Sequence, residues 1–533
     1  MIDRRGAAFL LPAACLLLAA APAAVPAAAP AATYTAAPAA ATAPLEARVR
    51  EITLDNGLKF LVVRRGTAPV FNAIMRFRVG SADDPGGATG LAHLFEHMAF
   101  KGTTRIGVRD AVRETAILDA LDEAARAVNA ESGRVGGPDP ARLETLRARL
   151  AALMKEHQAL VVRNEFSDIL QANGAAGLNA STSADLTSYF VGLPANRLEL
   201  WFLLESARLR DPVLREFYTE RGVVMEERRF RIDSNPGGKL YEQMLGAAFQ
   251  AHPYRVPGVG WMSDLERLTR PQAEEFRRAH YVPGNAVAAL VGDIDPAAVE
   301  ALARRYFGPI PAGAPPPGVP TVEPEQRGER RVRVEFDAEP QILVAYHRPG
   351  LGHPDDPVYE VIDALLTSGR TGRLFRRLVI DEQVALSVFT FEAPGRRFPN
   401  LFVLGGAPRA PHGVDAIERG ILAELARLAG EPPTPEEMEK VRNRFRSDSV
   451  YEIRGNAGLA DELSQFAILA GDWRALLRRD EALLAVTPAQ VQDVARRTFV
   501  ARNRTVAYLE RPAPPAGSDT DRAGDPAASG GAP

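Results

Sequence analysis

The sequence has one cysteine and eight histidines in 533 residues. The lone Cys15 lies in an apolar N-terminal run, so disulfide bonds cannot stabilise the fold and thiolates cannot bind a metal elsewhere. The net charge is only -3, which gives no basic field for nucleic acid, and we expect no nucleic-acid partner. Because single cores rarely exceed about 250–300 residues, the length predicts two or more domains.

Residues 1–30 are typical of an export signal. The basic start MIDRR is followed by the apolar stretch GAAFLLPAACLLLAAA and the small residues of APAAVPAAAPAA. An uncleaved anchor is the alternative, because the apolar stretch is short for a membrane span. Residues 31–44, rich in Ala, Pro and Thr, are predicted to be a disordered spacer. We therefore expect a periplasmic or secreted protein with no stable membrane span after signal cleavage.

Two later segments share one pattern, LTRPQAEEFRRAHYVPGNAVAALVGD and AVTPAQVQDVARRTFVARNRTVAYLE. Each has a capping box with proline in the first turn, then an amphipathic helix and an apolar strand. The repeat predicts two homologous halves, 45–306 and 329–511. Between them, 307–328 is a Pro/Gly-rich linker by composition, and 512–533 is predicted to be a disordered tail.

Two local features stand out in the first half. Asp55-Asn56-Gly57 lies between apolar runs and predicts a β-hairpin. Residues 109–162 are helical in pattern, are broken by SGRVGGPDP, and have no counterpart in the second half, so we expect an inserted helical hairpin. His157 continues the heptad spacing of its leucines, and packing is the better interpretation for it than metal binding.

The stretch GLAHLFEHMAFKGT contains the pattern His-x-x-Glu-His. On a helix, His93 and His97 lie one turn apart on one face and can reach a single ion. Glu96 neighbours that face and can take a proton from a water that the metal activates. Accidental occurrence, on the order of one in a hundred such chains, is the alternative. Two histidines also need a third protein ligand.

Candidates for the third ligand lie in YTERGVVMEERRFRIDSNPGGKLYE. Glu220, Glu226 and Glu227 share a helical segment, and Glu220 and Glu227 are two turns apart on one face. Several arginines surround them, so a solvated charged face is an equally good interpretation. Spacing alone therefore leaves the third ligand open.

Five motifs occur in the order expected for one family: VGSADDPGGATGLAHLFEHMAFKGT, GLNASTSADLTSYFVGLPANRLELWFLLESARLRDPVL, ERGVVMEERR, AHPYRVPGVGWMSDLERLT and YVPGNAVAALVGDID. Across residues 45–511 the chain resembles the pitrilysin/insulinase metallopeptidases of family M16, in particular the subfamily of mitochondrial processing peptidase and its bacterial relatives. The resemblance implies an α+β fold of two homologous halves. Each half would be a mostly antiparallel sheet with helices on one face, and together they would form a clamshell chamber.

The resemblance also implies roles for individual residues. His93, His97 and Glu227 match the ligands of one Zn²⁺ per chain, and Glu96 matches the general base. Glu220 matches a supporting glutamate close to the site. Glu226 matches no ligand position. The inserted hairpin accounts for the long separation of Glu227 from the histidines.

Substrate binding is implied by the motif GLNASTSADLTSYF. In the family, the strand that begins at the positions of Asn179 and Ala180 is a sheet edge that binds an extended peptide by strand addition. A turn residue is the alternative for Asn179, because it follows Gly177 closely. Tyr189 either orients the reacting carbonyl or packs, and the sequence does not separate these.

The second half has no His-x-x-Glu-His and cannot supply a second metal site. Many family members contribute an Arg and a Tyr from that half to hold the substrate, but the matching positions here are Val379 and Leu386. Arg373, Arg376 and Arg377 lie nearby, although an ordinary basic helix face is the better interpretation for them. A second M16-type subunit, in a homodimer or heterodimer, could provide the missing pair.

The sequence thus predicts a zinc endopeptidase that cleaves peptides or unfolded segments enclosed between two homologous halves. The first alternative is a non-catalytic or partner-dependent peptide-binding subunit of a heterodimer. A zinc hydrolase of non-peptide substrates is a third class, permitted by the ligands but unsupported by the edge-strand motif.

Overall fold

The computed structural model describes residues 45–512. The predicted signal peptide and spacer, and all but the first residue of the predicted tail, lie outside the described residues. Within the described range the chain forms two β-sheets, and the 307–328 segment between them contains no helix or strand. No helix in this range is long and apolar enough to cross a membrane.

The sheet of the first half has six strands in the order β1-β2-β6-β3-β5-β4. All neighbours are antiparallel except β2 and β6. The Asn56-Gly57 turn joins β1 to β2 with Gly57 at φ +89°, which confirms the predicted hairpin. The strands are β1 (Val49–Thr53), β2 (Lys59–Arg64), β3 (Val70–Phe77), β4 (Ala176–Thr182), β5 (Thr187–Pro194) and β6 (Ala286–Gly292).

Helices of the first half follow and interrupt these strands. Short 3-10 turns lie at Ser81–Asp83, Ala195–Arg197, Pro253–Arg255 and Pro283–Asn285, and a π-helical turn at Arg229–Asp233. The helices are α1 (Leu45–Arg48), α2 (Leu91–Met98), α3 (Ala111–Ser132), α4 (Pro140–Gln158), α5 (Glu165–Ala172), α6 (Leu198–Arg210), α7 (Phe217–Arg228), α8 (Pro236–Ala248), α9 (Met262–Leu265), α10 (Arg270–His280) and α11 (Pro296–Tyr306).

The second half repeats this plan with five strands in the order β7-β11-β8-β10-β9. That order matches β2-β6-β3-β5-β4 strand by strand, including the single parallel pair, β7 with β11. The strands are β7 (Arg330–Glu335), β8 (Gln341–Arg348), β9 (Ala385–Ala393), β10 (Asn400–Pro408) and β11 (Arg504–Glu510). The helices are α12 (Asp356–Thr367), α13 (Val414–Gly430), α14 (Pro435–Glu452), α15 (Asn456–Leu469), α16 (Ala475–Ala485) and α17 (Pro488–Thr498), with a π-helical segment at Phe375–Asp381 and 3-10 turns at Gly369–Thr371 and Ala501–Asn503.

The repeated sequence pattern forms the same unit twice, α10 with β6 and α17 with β11. Both helices begin with the predicted capping box, at Thr269 with Gln272 and at Thr487 with Gln490. Each box satisfies backbone donors that the first helical turn leaves unpaired. The chain therefore consists of two homologous α+β halves, as the sequence predicted.

The central strands are buried on both faces. In β6 every residue is buried, and alternate side chains enter two different cores. Ala288 and Leu290 contact the core formed with the helices of the first half. Val287 and Val291 contact a second cluster on the opposite face. This double burial explains why the segment AVAALVG is continuously apolar rather than alternating.

The second face of each sheet is covered by a helix from the other half. Leu459, Leu463 and Phe466 of α15 pack on the first sheet. Leu240 and Met244 of α8 pack on the second sheet. Each such side chain contributes roughly 1.5–3 kcal/mol on burial. The helices of each half pack on one face of the sheet in that half, as predicted. The exchanged helices on the other face were not predicted.

On the exchanged helix α15, Glu462 has a buried oxygen, Oε2, that accepts no hydrogen bond within residues 45–512. The nearest cation, Arg479, lies 3.7 Å away. Burial raises the pKa of Glu462 to about 7; the charges of Glu452 and Asp461 act in the same direction, and those of Arg479 and Arg76 oppose it. The folded state thus keeps a proton that the unfolded chain releases, so stability falls as the pH rises from about 4.5 through 7.

We expect Glu462→Gln to raise the free energy of unfolding by about 1–3 kcal/mol at pH 8 and to leave it unchanged at pH 4. Urea unfolding at the two pH values measures this difference. Glu481→Gln, at an exposed position of α16, is the matched control and should change stability at neither pH. A loss of stability at pH 8 would contradict the assignment.

Candidate metal centre

Helix α2 is fixed at its N-terminus and along one face. Gly90, at φ +85°, precedes the helix, and the Asp84 carboxylate accepts from the backbone N–H of Gly90 at 2.7 Å and of Ala92 at 2.8 Å. A carboxylate there also interacts favourably with the helix dipole. Leu94 and Met98 are fully buried in the core. This anchoring sets the rotation of α2 about its axis and so the directions of its polar side chains.

Helix α7 is anchored in a similar way beside α2. It begins after Glu216, which adopts the left-handed conformation at φ 59°. Val224 is buried on one face, and near the C-terminus the Arg228 guanidinium donates to Glu242 at 2.8 Å and to the Gly260 carbonyl at 2.7 Å. Glu227 is consequently held on the side of α7 that faces α2.

His93, His97 and Glu227 converge, and one ligand atom of each lies within 4.8 Å of the others. Glu227 Oε2 is 3.6 Å from His93 Nε2 and 3.5 Å from His97 Nε2. Ligands bound to zinc at about 2.0–2.1 Å with tetrahedral angles lie roughly 3.3–3.5 Å apart. Two imidazole nitrogens and one carboxylate oxygen are also a donor set that zinc accepts. The residues therefore fit a zinc ion.

A second layer of contacts orients these three side chains. His97 Nδ1 lies 3.4 Å from Glu220 Oε2, and the other oxygen of Glu220 accepts from Lys101 Nζ at 2.5 Å. Glu227 Oε1 is paired with Arg231 at 2.8 Å. His93 Nδ1 is buried and has no hydrogen-bond partner in the described part of the chain. Contacts of this kind fix the ring that presents a ligand nitrogen.

The electrostatics of the cluster favour a cation. Burial lowers the pKa of His93 to about 4, so its imidazole is neutral at pH 7. Burial also disfavours charge on His97, but the Glu220 and Glu227 carboxylates outweigh it and raise the pKa of His97 to about 9. Burial disfavours charge on Glu227 too, but its hydrogen bond with His97, and the positive charges that His93, Arg231 and His97 carry at low pH, bring its pKa to about 2. Metal binding here would release the proton that His97 holds.

Glu96 lies outside the ligand cluster but beside it. Burial raises its pKa, while a hydrogen bond from the Thr182 hydroxyl opposes that effect. Thr182 is the last residue of β4, and α2 contacts that strand. A carboxylate with a raised pKa, next to a metal cluster and a sheet edge, is suited to proton transfer.

The predicted peptide-binding residues do not all lie together. Asn179 and Ala180 are in β4, which pairs only with β5 among the strands of the described chain and has an open outer edge. Tyr189, by contrast, is 3% exposed, and its ring packs against the Arg208 guanidinium at 4.2 Å. Of the two interpretations of Tyr189, its burial in the core favours packing over orientation of the reacting carbonyl.

The turn that joins β4 to β5 is held by the second half. The Asp185 carboxylate, 2% exposed, accepts from the backbone N–H of Arg396 at 2.6 Å and of Arg397 at 3.0 Å. It also accepts from the Tyr254 hydroxyl at 2.5 Å. Arg397 further pairs with Asp83 at 3.0 Å, next to the residue that caps α2. The second half thus contacts two residues of the first half, Asp185 in the turn after the edge strand and Asp83 just before the metal-site helix.

The second-half positions considered for substrate contacts have other surroundings. Val379 is partly buried against the second core, and Leu386 is 60% exposed on β9. Arg373 is paired with Glu437 at 2.6 Å and is 8% exposed. Arg376 is 73% exposed and 3.7 Å from the nearest carboxylate. Arg373 is therefore occupied by a buried ion pair, whereas Arg376 lies on the exposed surface.

Three contacts of the site were missed by reasoning from the sequence: Lys101, Thr182 and Arg231. Arg231 is four residues after Glu227, a spacing that predicts a helical ion pair. Lys101 is four residues after His97, but α2 ends at Met98, so helical spacing gave no valid signal for it.

Comparison with known proteins identifies the class. The family description "Insulinase (Peptidase family M16)" matches residues 60–127, and "Peptidase M16 inactive domain" matches 267–445. The zinc protease PqqE of Helicobacter pylori is 25% identical over 468 residues, which cover 86% of this chain and 92% of that protein. The two family matches and this relative support a protein of the pitrilysin/insulinase family, M16.

Two solved structures share the fold. The crystal structure of a protease from Helicobacter pylori superposes with a TM-score of 0.72 at 23% identity, covering 87% of this chain and 99% of that one. The periplasmic protease PqqL from Escherichia coli gives a TM-score of 0.64 at 16% identity. This chain covers only 48% of PqqL, but 92% of a separate structure of the first half of PqqL.

Proposed function

We propose that the chain is a zinc-dependent endopeptidase with one Zn²⁺ held by His93, His97 and Glu227. The observation that carries the proposal is the convergence of these ligands next to Glu96 and the open edge of β4. A scaffold without catalytic function would not need both a complete ligand set and a separate buried carboxylate beside it. The names of the relatives as zinc proteases support the same conclusion.

The proposed mechanism assigns each side chain one task. Zinc, when bound, supplies a Lewis acid that polarises the peptide carbonyl and increases the acidity of water. Glu96 accepts a proton from the attacking water and delivers it to the leaving amine. Its raised pKa keeps the protonated form accessible for the second transfer. Glu220 holds His97 in orientation through Nδ1.

The proposed substrate is an extended peptide or an unfolded segment. Such a chain adds to the outer edge of β4 through backbone hydrogen bonds, which place little demand on its sequence. Glu96 contacts Thr182 at the end of that strand, so a peptide bound along the edge would lie next to the zinc ligands. Folded proteins rarely present a free extended segment, and we expect them to be poor substrates.

A second M16-type subunit, identical or homologous, is proposed to complete the enclosure around the peptide. This chain corresponds to about half of PqqL, and its second half offers Val379 and Leu386 where other members hold substrate. Peptide capture without cleavage by this subunit alone is the second candidate function, supported by the same two residues. The export signal in residues 1–30 supports a periplasmic or secreted location.

The experiment is a digest of unstructured peptides by the purified chain, alone and mixed with the product of any neighbouring gene that encodes a homologous subunit. We expect zinc-dependent cleavage that 1,10-phenanthroline abolishes and added zinc restores, with mass spectrometry identifying the products. A tightly folded protein of similar composition serves as control and should stay intact. Absence of cleavage in both arms, with zinc bound, would rule out the endopeptidase and leave the peptide-binding alternative.

A further inference from the structure

The guanidinium of Arg215 is completely buried, and all five of its N–H donors are used. Nε and Nη2 donate to the two oxygens of Glu114, each at 2.9 Å. Nη2 also donates to the Thr103 carbonyl, and Nη1 donates to the carbonyls of Lys101 and Ile106, each at 2.7 Å. One side chain thus ties helix α3 to the loop that follows the metal-site helix.

The loop of residues 101–107 is shaped around that guanidinium. Gly102 and Gly107 both have positive φ, 94° and 92°. A Cβ on either glycine would lie 2.9 Å or 2.7 Å from Arg215 Nη1, closer than a carbon can approach. The two glycines allow the loop to close on the cation.

The far side of this contact belongs to the inserted hairpin. Glu114 is in the first turn of α3, and His157 near the end of α4 donates from Nε2 to Glu114 Oε1 at 3.0 Å. Glu114 and His157 are both at most 3% exposed in their side chains. Both helices of the hairpin therefore meet at the carboxylate that binds Arg215. His157 is buried as predicted, and it also makes a polar contact.

The near side of the contact leads to the metal ligands. Arg215 fixes the backbone of Lys101, whose ammonium binds Glu220 at 2.5 Å and Glu216 at 3.3 Å. Glu220 in turn faces Nδ1 of His97 at 3.4 Å. An unbroken series of hydrogen bonds thus runs from the hairpin to a ligand of the candidate metal centre.

We propose that the α3–α4 hairpin is a positioning element for the metal centre, and that Glu114, His157 and Arg215 act as positioning residues. They hold the Lys101 loop, which holds Glu220, which orients the imidazole of His97. This inference rests on the proposed function and deepens it. It gives the insertion a task that its position on the surface would not suggest.

Glu114→Gln tests the proposal, because it keeps the shape of the side chain and removes the charge that binds Arg215. We expect about 10–100-fold weaker metal binding, as for other residues that support a ligand. The apo chain is titrated with Co²⁺ or Zn²⁺ against a chromophoric chelator, and the visible spectrum of bound Co²⁺ reports ligand geometry. We expect the Co²⁺ spectrum to change. We also expect kcat to fall by a larger factor than that by which KM changes.

Glu131→Gln is the matched control. Glu131 is on the same helix and is 5% exposed, but it lies at the hairpin tip, and its polar partners in the described structure, Arg134, Asp139 and Arg142 at 3.2 Å, all belong to the hairpin. This variant should retain wild-type metal affinity and the wild-type Co²⁺ spectrum. Equal losses in both variants would mean that the hairpin only stabilises the fold, and would overturn the proposal.

A double-mutant cycle tests the route. If the hairpin acts through Lys101, then Glu114→Gln combined with Lys101→Met should bind metal no more weakly than the weaker single variant. If the loss of metal affinity in the double variant equals the product of the two single losses, the proposed route through Lys101 is wrong. If Glu114→Gln does not fold, His157→Leu replaces it, with a several-fold loss of affinity that His157→Gln restores through its amide donor. No loss in His157→Leu would also overturn it.

The outcomes separate the two levels of the proposal. A wild-type chain that binds neither Co²⁺ nor Zn²⁺ would overturn the proposed function. A wild-type chain that binds metal while Glu114→Gln binds it equally well, with the same spectrum, would overturn only the role of the hairpin.

Discussion

Glu96→Gln is expected to lower the rate of peptide cleavage by about 10²–10⁴-fold while zinc binding stays at the wild-type level. The amide cannot accept a proton, yet it fills the same space and can still contact Thr182. The ligand atoms that converge belong to His93, His97 and Glu227, so the metal site is left intact. Cleavage is followed on an unstructured fluorogenic peptide, and zinc content by atomic absorption.

Glu226→Gln is the matched control for this substitution. Glu226 lies next to a ligand, is 73% exposed and is paired only with Arg229 in the described structure. It should cleave at the wild-type rate, which excludes a general effect of removing one negative charge near the site. Wild-type cleavage by Glu96→Gln would instead require a different proton acceptor and would refute the proposed mechanism.

Glu227→Ala is expected to lose bound zinc. Sites with four protein ligands bind zinc with about 10–16 kcal/mol of apparent free energy, so each ligand contributes roughly 3 kcal/mol, a factor on the order of a hundred in affinity. The substitution also leaves Arg231 without its partner at 2.8 Å, which places an uncompensated positive charge beside the two histidines. Dialysis against a metal buffer followed by zinc analysis measures the change.

Two comparisons sharpen this second experiment. Glu227→Gln keeps the volume and can still offer a neutral oxygen, so it should bind zinc more tightly than the alanine variant but more weakly than wild type. Arg231→Gln removes the neighbouring cation and keeps all three ligands, and it should retain zinc. Unchanged zinc content in Glu227→Ala would exclude this glutamate as the third ligand.

The part of the site that lies on one helix could be predicted from the sequence. His93, Glu96 and His97 fall within little more than one turn, so helical periodicity alone fixes their relative directions. The third ligand could not be reached in this way. Spacing left Glu220 and Glu227 equivalent, and the choice of Glu227 came from the family motif. The structure separates them, because Glu220 meets Nδ1 of His97 and Glu227 meets Nε2.

The contacts that escaped prediction cross between elements. Lys101 reaches Glu220 only because the loop after α2 folds back around Arg215, which no local pattern encodes. Tyr189 lies on a strand of the motif, but the burial of a side chain depends on what covers it, here Arg208, Phe77 and Phe100. Periodicity predicts which residues share one face of an element. It does not predict which other element packs on that face.

The fold was predicted at the level of two homologous α+β halves, because the repeat is written in the sequence. The exchange of α8 and α15 was not, although one signal pointed to it. The continuously apolar segment of β6, Ala286–Gly292, requires a cover on both faces, and the helices of the first half supply only one. The pattern of an amphipathic helix indicates that one face packs on an apolar surface. It does not indicate which half of the chain provides that surface.

The exchanged helices have a consequence at the level of the gene. A gene with a stop codon after residue 328 would still encode His93, Glu96, His97 and Glu227. The product would nevertheless lack α15, and the apolar face formed by residues such as Leu61, Val63 and Val291 would be exposed to water. Such an allele should behave as a complete loss of function, because a helix of the second half covers one face of the sheet whose other face packs against the metal-site helix.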